Sequence, residues 1–413
     1  MKKVIFDLDG TLYETDSGIL EAVRQTLAYF SIPPVPAEII KSGIGKKLDE
    51  FLQMILPEQV DLATARTVFR DREHRAVKEQ GRLYPGIREL LQELKGRGFS
   101  LYICSNGSEE YINLVLDSMG IREYFSGINS SKFLPSKGRA LQDMVSEGEF
   151  ALVIGDTAID YKGAWEAGLP SIAAAYGYGS RKDDGIAVFQ VDTPSELLSK
   201  ILLAELFHEI TQKLIIDKKC RIIGINGVDT SGKTRFTEQF SRYLDAIKVN
   251  SQILHMDDFH QPATIRYQGK NEVEAYYQHA FNYDQVMEEI LLPFHRDGVL
   301  DKEVVCLELD TDRYEAHRKF RLDETAVLLI EGVLLFREPI LPYLEGKIFL
   351  HIPFEEVIRR ASLRDVPRYG EEFLQKYHNK YIPVQRRYLK EHNPMEISDI
   401  VIDNTDYDNP GLL

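Results

Sequence analysis

Cysteine is scarce in this chain of 413 residues: Cys104, Cys220 and Cys306 are the full set, and no two of them form a CxxC pair. That excludes a disulfide framework and a cysteine zinc site, and leaves reduced thiols packed in cores. Long uncharged runs are missing too, so no segment reaches transmembrane length. Met1-Lys2-Lys3 imitates the basic start of a signal peptide, but Asp7 and Asp9 interrupt the apolar stretch that should follow. Positive charge is in deficit, with 50 Lys and Arg against 65 Asp and Glu and a net charge of -15. This argues for solubility and against a broad nucleic-acid footprint. The expectation is a cytoplasmic protein with neither a membrane nor a nucleic-acid partner.

Internal repeats, low-complexity stretches and Gly, Ser or Pro-rich tethers are also absent. What is present is length enough for two full cores, at about 150 residues per domain, and two phosphate-handling signatures. Asp7-Leu8-Asp9-Gly10-Thr11 follows an apolar run, Val4 to Phe6, that reads as a buried strand. It puts two carboxylates at a strand's C-terminal end, where open α/β sheets bind ligands. Gly227-Val228-Asp229-Thr230-Ser231-Gly232-Lys233-Thr234 stands between a strand-like run, Arg221 to Ile225, and a helical pattern from Thr234 to Leu244. That is the context a P-loop requires.

In the first half, strand-like segments (Val4 to Phe6, Phe99 to Cys104, Ala151 to Ile154) alternate with helical patterns, which predicts a parallel sheet. Residues 16 to about 82 are helical and charged and are inserted after the first strand, as a mobile cap would be. A lone DxD most often caps a helix or faces water. Here it is joined by Ser105-Asn106, a later lysine, Gly155-Asp156-Thr157 and Asp160, and the set resembles the haloacid dehalogenase superfamily over roughly residues 1 to 198. The stretch Ala175-Tyr-Gly-Tyr-Gly179 resembles phosphoglycolate-phosphatase-like members.

The resemblance implies that Asp7 is a nucleophile and Asp9 a general acid and base. It implies that Ser105 and Asn106 contact the phosphate, and that Asp7, Asp9, Asp156 and Asp160 supply a magnesium site. A carboxylate attacks a phosphate ester usefully only where a cation neutralises both. Asp160 could instead hold the superfamily's lysine. Lys132 and Lys137 compete for that part, and Lys137 is preferred because Lys137-Gly-Arg-Ala-Leu begins a helical pattern.

Leu197, Leu198, Ile201, Leu202, Leu206 and Ile210 recur at helical spacing, so a helix over about 199–215 joins the halves. In the second half, from 216 to 413, the P-loop amides Gly227 to Gly232 would surround phosphates of ATP, Lys233 would reach the β and γ groups, and Thr234 would ligate magnesium. Leu254-His-Met-Asp257-Asp258-Phe259-His260, Leu329-Ile330-Glu331-Gly332-Val333, the segment with Arg360, Arg364, Asp365 and Arg368, and the closing Ile397 to Asn404 resemble the uridine kinase family. The resemblance implies Asp257 as the base for an acceptor hydroxyl, Glu331 supporting the magnesium, and Arg360 and Arg364 on the transferring phosphoryl group.

One departure matters. Where uridine kinases carry Asp-His-Pro for the nucleoside sugar, this chain has Tyr276-Tyr277-Gln278-His279. Tyr314, His317 and Arg318 are further acceptor-side candidates.

The fold expected is α/β with two doubly wound parallel-sheet domains. The function expected is bifunctional: a magnesium-dependent phosphatase for a small phosphorylated metabolite, and an ATP-dependent kinase for a nucleoside-like acceptor. Association into homo-oligomers stays open. Two alternatives are a P-loop domain that senses nucleotide and gates the phosphatase, and nucleic-acid end processing, against which the acidic balance counts.

Overall fold

The structure, a computed structural model, describes residues 2–131, 136–179 and 185–413. The chain divides into two compact units, Met1–Glu205 and Leu206–Leu413, which part within a helix, Leu197–Ile210, that continues in wider turns over Thr211–Asp217.

The first unit contains a wholly parallel sheet of β1 (Lys2–Phe6), β2 (Ser100–Ser105), β3 (Phe125–Ser130), β4 (Phe150–Gly155), β5 (Ser171–Ala174) and β6 (Phe189–Val191), in the order β3-β2-β1-β4-β5-β6. β4 is buried along its whole length, and β1 from its second residue onward. Burial on both faces is why these strands read as unbroken apolar runs. Strand order reverses between β1 and β4, so their C-terminal ends open a crevice between diverging connections. Asp7 follows β1 and Asp156 follows β4. Four helices, Asp16–Tyr29, Ala37–Lys41, Leu48–Ile55 and Leu62–Gln80, follow β1 and build their own apolar core around Val23, Leu27, Leu52 and Phe69.

The second unit has β7 (Ile222–Gly227), β8 (Ser251–His255), β11 (Val327–Gly332), β12 (Gly346–His351), β13 (Ile400–Asp403) and β14 (Gly411–Leu412), in the order β14-β13-β12-β7-β11-β8. All pair in parallel except β14, which runs antiparallel to β13. Between β8 and β11 the chain makes a separate antiparallel hairpin of β9 (Leu300–Glu308) and β10 (Arg313–Leu322). The hairpin and β14 go beyond the parallel plan expected from sequence. The core of this unit gathers Leu254, Phe259, Phe281, Leu328, Ile330 and Phe336. Among the described residues no helix is long and apolar enough to cross a membrane, and all three cysteines are buried and unpaired.

Candidate active sites

In the first unit the end of β1 delivers Asp7 to a closed charge cluster. Asp7, Asp156 and Asp160 bring one carboxylate oxygen each to within 4.8 Å of one another. Lys137, the first residue of a short helix capped by Ser136, donates to Asp7 Oδ1 at 2.6 Å and also to Asp160 Oδ1. All four side chains are buried. Burial and the charges of Asp160 and Asp156 push the Asp7 carboxyl well up, against the pull of Lys137. Asp156 is pushed up to about 7, chiefly by burial and then by the Asp160 charge. Burial would lower the Lys137 ammonium, but Asp160 and Asp7 overcome it and hold it charged. Three buried carboxylates against one ammonium leave an excess of negative charge, so the donor set fits a divalent cation.

Asp160 differs from a simple metal ligand. Its Oδ2 accepts from the Thr157 N–H at 2.9 Å and the Thr157 hydroxyl at 2.7 Å, while Oδ1 faces Lys137. Both oxygens are thus engaged in holding the helix start and the lysine. Asp9 also stands apart from the cluster: its Oδ1 accepts from the Tyr111 hydroxyl at 2.7 Å and from Thr15 at 2.8 Å. Burial raises the Asp9 carboxyl above its ordinary value even against these two bonds. Ser105 is buried and its Oγ accepts from the Gly107 N–H at 3.2 Å. Asn106 donates to the carbonyl of Gly45, in the helical insertion, at 2.7 Å. Lys132 lies outside the described residues.

The Tyr-Gly-Tyr-Gly stretch explains itself at Asp156. The Tyr178 N–H donates to Asp156 Oδ2 at 2.8 Å, and the Tyr176 hydroxyl donates to the Thr11 carbonyl at 2.8 Å. A Cβ on Gly179 would lie 1.8 Å from the Asp156 carbonyl oxygen, so only glycine fits there. The cavity over Asp7 and Asp9 is walled on its far side by Ile44, Phe69, Arg70, Glu73 and His74 of the insertion. Glu73 is pushed up to about 8 by burial and the Asp9 charge, with Arg70 pulling the other way. No motif marks these residues; their only sequence signal is the helical spacing of 70, 73 and 74.

In the second unit β7 leads into the P-loop. Thr230 adopts a left-handed φ of 55°, and Gly232 has φ 88° with no room for a Cβ, which would lie 2.5 Å from Tyr407. The helix Lys233–Ala246 follows directly. Lys233 donates to the Val228 carbonyl at 2.9 Å. Thr234 donates to Glu331 Oε1 at 3.1 Å, and His255 Nδ1 lies 2.8 Å from the same oxygen. Glu331 lies near the end of β11, beside β7, so strand pairing joins the two motifs. His255 was not anticipated; its imidazole is held up by the bond to Glu331. Gln385 brackets Asp229 through that residue's backbone N–H and its carboxylate, which burial pushes up to about 6.

Beyond the loop, adjacent carboxylates part company. Asp258 is held by Arg318 in a two-bond fork at 2.7 and 2.8 Å. Asp257, in the turn after β8, is exposed and makes no hydrogen bond or ion pair among the described residues. Arg364 forks onto Asp365 at 2.8 and 3.0 Å. Arg360 is engaged within the protein. It is buried, bonded to Glu356 at 2.6 Å and to the carbonyls of Thr230, Asn404 and Thr405 at 3.1, 2.6 and 2.9 Å, with the Tyr407 ring 3.4 Å away. A guanidinium so engaged braces the P-loop from behind. Tyr314 and His317 lie on β10, with His317 paired to Glu303 at 2.6 Å.

Residues 4–174 match the profile of haloacid dehalogenase-like hydrolases, and residues 222–398 that of the phosphoribulokinase / uridine kinase family. The chain is 26% identical to the phosphoglycolate phosphatase of Vibrio parahaemolyticus over 222 residues, which is 49% of this chain and 97% of that protein. It is 30% identical to the probable phosphatase IndB of Dickeya dadantii over 213 residues, 47% of this chain and 91% of that one. A solved structure described as a possible uridine kinase from Bacillus stearothermophilus is 24% identical, with TM-score 0.40, covering 49% of this chain and 97% of its own.

Proposed function

Because this chain belongs to the haloacid dehalogenase-like hydrolases over residues 4–174 and to the phosphoribulokinase / uridine kinase family over residues 222–398, we propose that its phosphatase unit works through an aspartyl phosphate on Asp7 and its kinase unit phosphorylates an alcohol from ATP. The observation that carries the reading is Lys137 bridging Asp7 and Asp160 beside Asp156, in a buried cluster that lacks only positive charge.

In the phosphatase reaction an Asp7 oxygen attacks phosphorus and the ester oxygen leaves. Asp9, lifted by burial, gives that oxygen a proton and then takes one from the water that cleaves the acyl phosphate. Lys137 offsets charge on the phosphoryl group, and Asp160 positions Lys137. A magnesium ion held by Asp7 and Asp156 would supply the charge that lets two anions meet. Ser105 and the neighbouring amides would orient the phosphate oxygens.

In the kinase reaction the P-loop amides and Lys233 would hold the ATP phosphates. Thr234 and Glu331 are the residues that would hold its magnesium ion. Asp257, exposed and without a partner among the described residues, takes the acceptor's proton as the acceptor oxygen bonds to the γ-phosphorus and ADP departs.

Two measurements test this. Borohydride reduction of acid-quenched protein incubated with a phosphate-ester panel should convert residue 7 to homoserine, found by peptide mass spectrometry; label elsewhere, or none during turnover, removes the Asp7 intermediate. ADP release with a phosphorylated alcohol as co-product should be seen with MgATP. ADP release with no phosphorylated alcohol would sink the kinase assignment.

A further inference from the structure

Where the uridine kinase pattern carries Asp-His-Pro for the nucleoside sugar this chain has Tyr276-Tyr277-Gln278-His279, and what surrounds Tyr276 is cationic. The Lys380 ammonium lies over three rings, 5.0 Å from Tyr276, 5.5 Å from Tyr381 and 5.8 Å from Tyr267, and makes no salt bridge among the described residues. Arg266 stacks on Tyr267 at 5.2 Å; its Nε is buried with no hydrogen-bond partner, and the nearest carboxylate contact, Asp312, is at 3.8 Å. Tyr276 packs edge-on against Phe281, which stacks on His260 at 4.8 Å. The His260 Nδ1 bonds the Ala280 carbonyl at 2.9 Å, so its other nitrogen faces away from that backbone.

These groups belong to one neighbourhood. His260, close after Asp257 in the chain, stacks on Phe281, which meets the Tyr276 ring that Lys380 covers, and Arg266 and Lys380 both lie against Tyr267. Burial pushes the Lys380 ammonium down, with Arg266 and Lys376 adding to it and Glu272 opposing. In a chain of net charge -15, two weakly neutralised cations beside the acceptor base are costly unless a ligand offsets them. A neutral nucleoside sugar offers an ammonium only hydroxyl oxygens, whereas an anionic group also offsets its charge.

We propose that the kinase unit's acceptor is an alcohol that itself carries an anionic group, bound by Lys380 and Arg266 within the Tyr267, Tyr276 and Tyr381 walls while its hydroxyl meets Asp257. The inference rests on the kinase reading above. Transfer makes the bond from acceptor oxygen to γ-phosphorus, breaks the bond from the γ-phosphorus to the β-γ bridging oxygen, and sends the hydroxyl proton to Asp257. ADP leaves.

The test uses full-length Asp7→Asn protein, so that the phosphatase does not consume the probes. Ribose 5-phosphate is compared with ribose, and gluconate with glucitol, with uridine alongside. Turnover is read as ADP with product mass, and binding by calorimetry with MgADP present. The anionic members should exceed their neutral partners in kcat/KM by about tenfold or more, as a charge-assisted contact allows. Lys380→Met should erase that preference through KM, leaving kcat and the KM for ATP in place; Lys380→Arg should restore it. A response to ribose 5-phosphate alone marks a phosphoester, and to gluconate alone a carboxylate. Neutral partners used as well, or a preference that survives Lys380→Met, would overturn the proposal. Anion binding lost in Lys380→Met, but without ADP formation, would keep the subsite and reject the kinase reading.

Discussion

In the first unit the charged groups already hold one another before any ligand arrives, with negative charge in excess, whereas in the second the acceptor side stands open. Lys137 is clamped between Asp7 and Asp160, all of them buried. Asp257 is exposed and bonded to nothing among the described residues, and Lys380 faces rings rather than carboxylates. Both sites occupy the C-terminal ends of parallel strands, so topology does not explain the contrast. A site whose nucleophile belongs to the protein must hold that nucleophile in place. A site that brings together two diffusing substrates needs a rigid cradle for one, here the P-loop braced by Arg360 and Gln385, and room for the other.

That contrast can be broken by substitutions that ought to cost stability in one unit and only rate in the other. Lys137→Met should lower phosphatase turnover about a thousandfold and destabilise the first unit by about 3–5 kcal/mol, since it leaves buried carboxylates facing one another. Denaturant melts with and without magnesium would register it, and an unchanged melt would mean the cluster is not preassembled. Asp257→Asn should lower kinase kcat by about 10²–10⁴ with the melting curve unmoved. A large stability change there would erase the distinction.

Arg360→Met should destabilise the second unit by about 2–4 kcal/mol, because three carbonyls and Glu356 lose their partner. Its effect on kinase rate should follow from unfolding; a rate loss in fully folded protein would return Arg360 to the phosphoryl group.

The smallest effect concerns Asp229, whose folded carboxyl is raised to about 6, mainly by burial. Its neutral form is favoured in the folded state, so it contributes stability below about pH 4 that is lost as pH rises to about 6. Asp229→Asn should therefore gain on the parent by about 1–2 kcal/mol at pH 7.5 and by much less at pH 4.5. Equal gains at both would remove the protonation argument.

The parts legible in sequence were those where one physical cause writes a local pattern. Buried parallel strands make apolar runs, and phosphate loops need glycine where φ is positive, as at Gly232. The hairpin of β9 and β10 left no such trace, because one face is exposed and charged residues fill it. The partners of Arg360 were not legible because an arginine-bearing helix reads alike whether its guanidinium points at a ligand or caps carbonyls. Glu73, Arg70 and Lys380 come from segments distant in sequence from any motif. Only the folded insertion and the ring cluster show what they face.

The account's central claim is that one chain carries two independent phosphoryl sites. The most direct test assays one set of preparations, parent, Asp7→Asn and Lys233→Ala, for both phosphate release from esters and ATP-dependent phosphorylation of an alcohol. The account predicts a crossed result: Asp7→Asn loses the first activity and keeps the second, and Lys233→Ala does the reverse. Loss of both activities from either folded variant would contradict it.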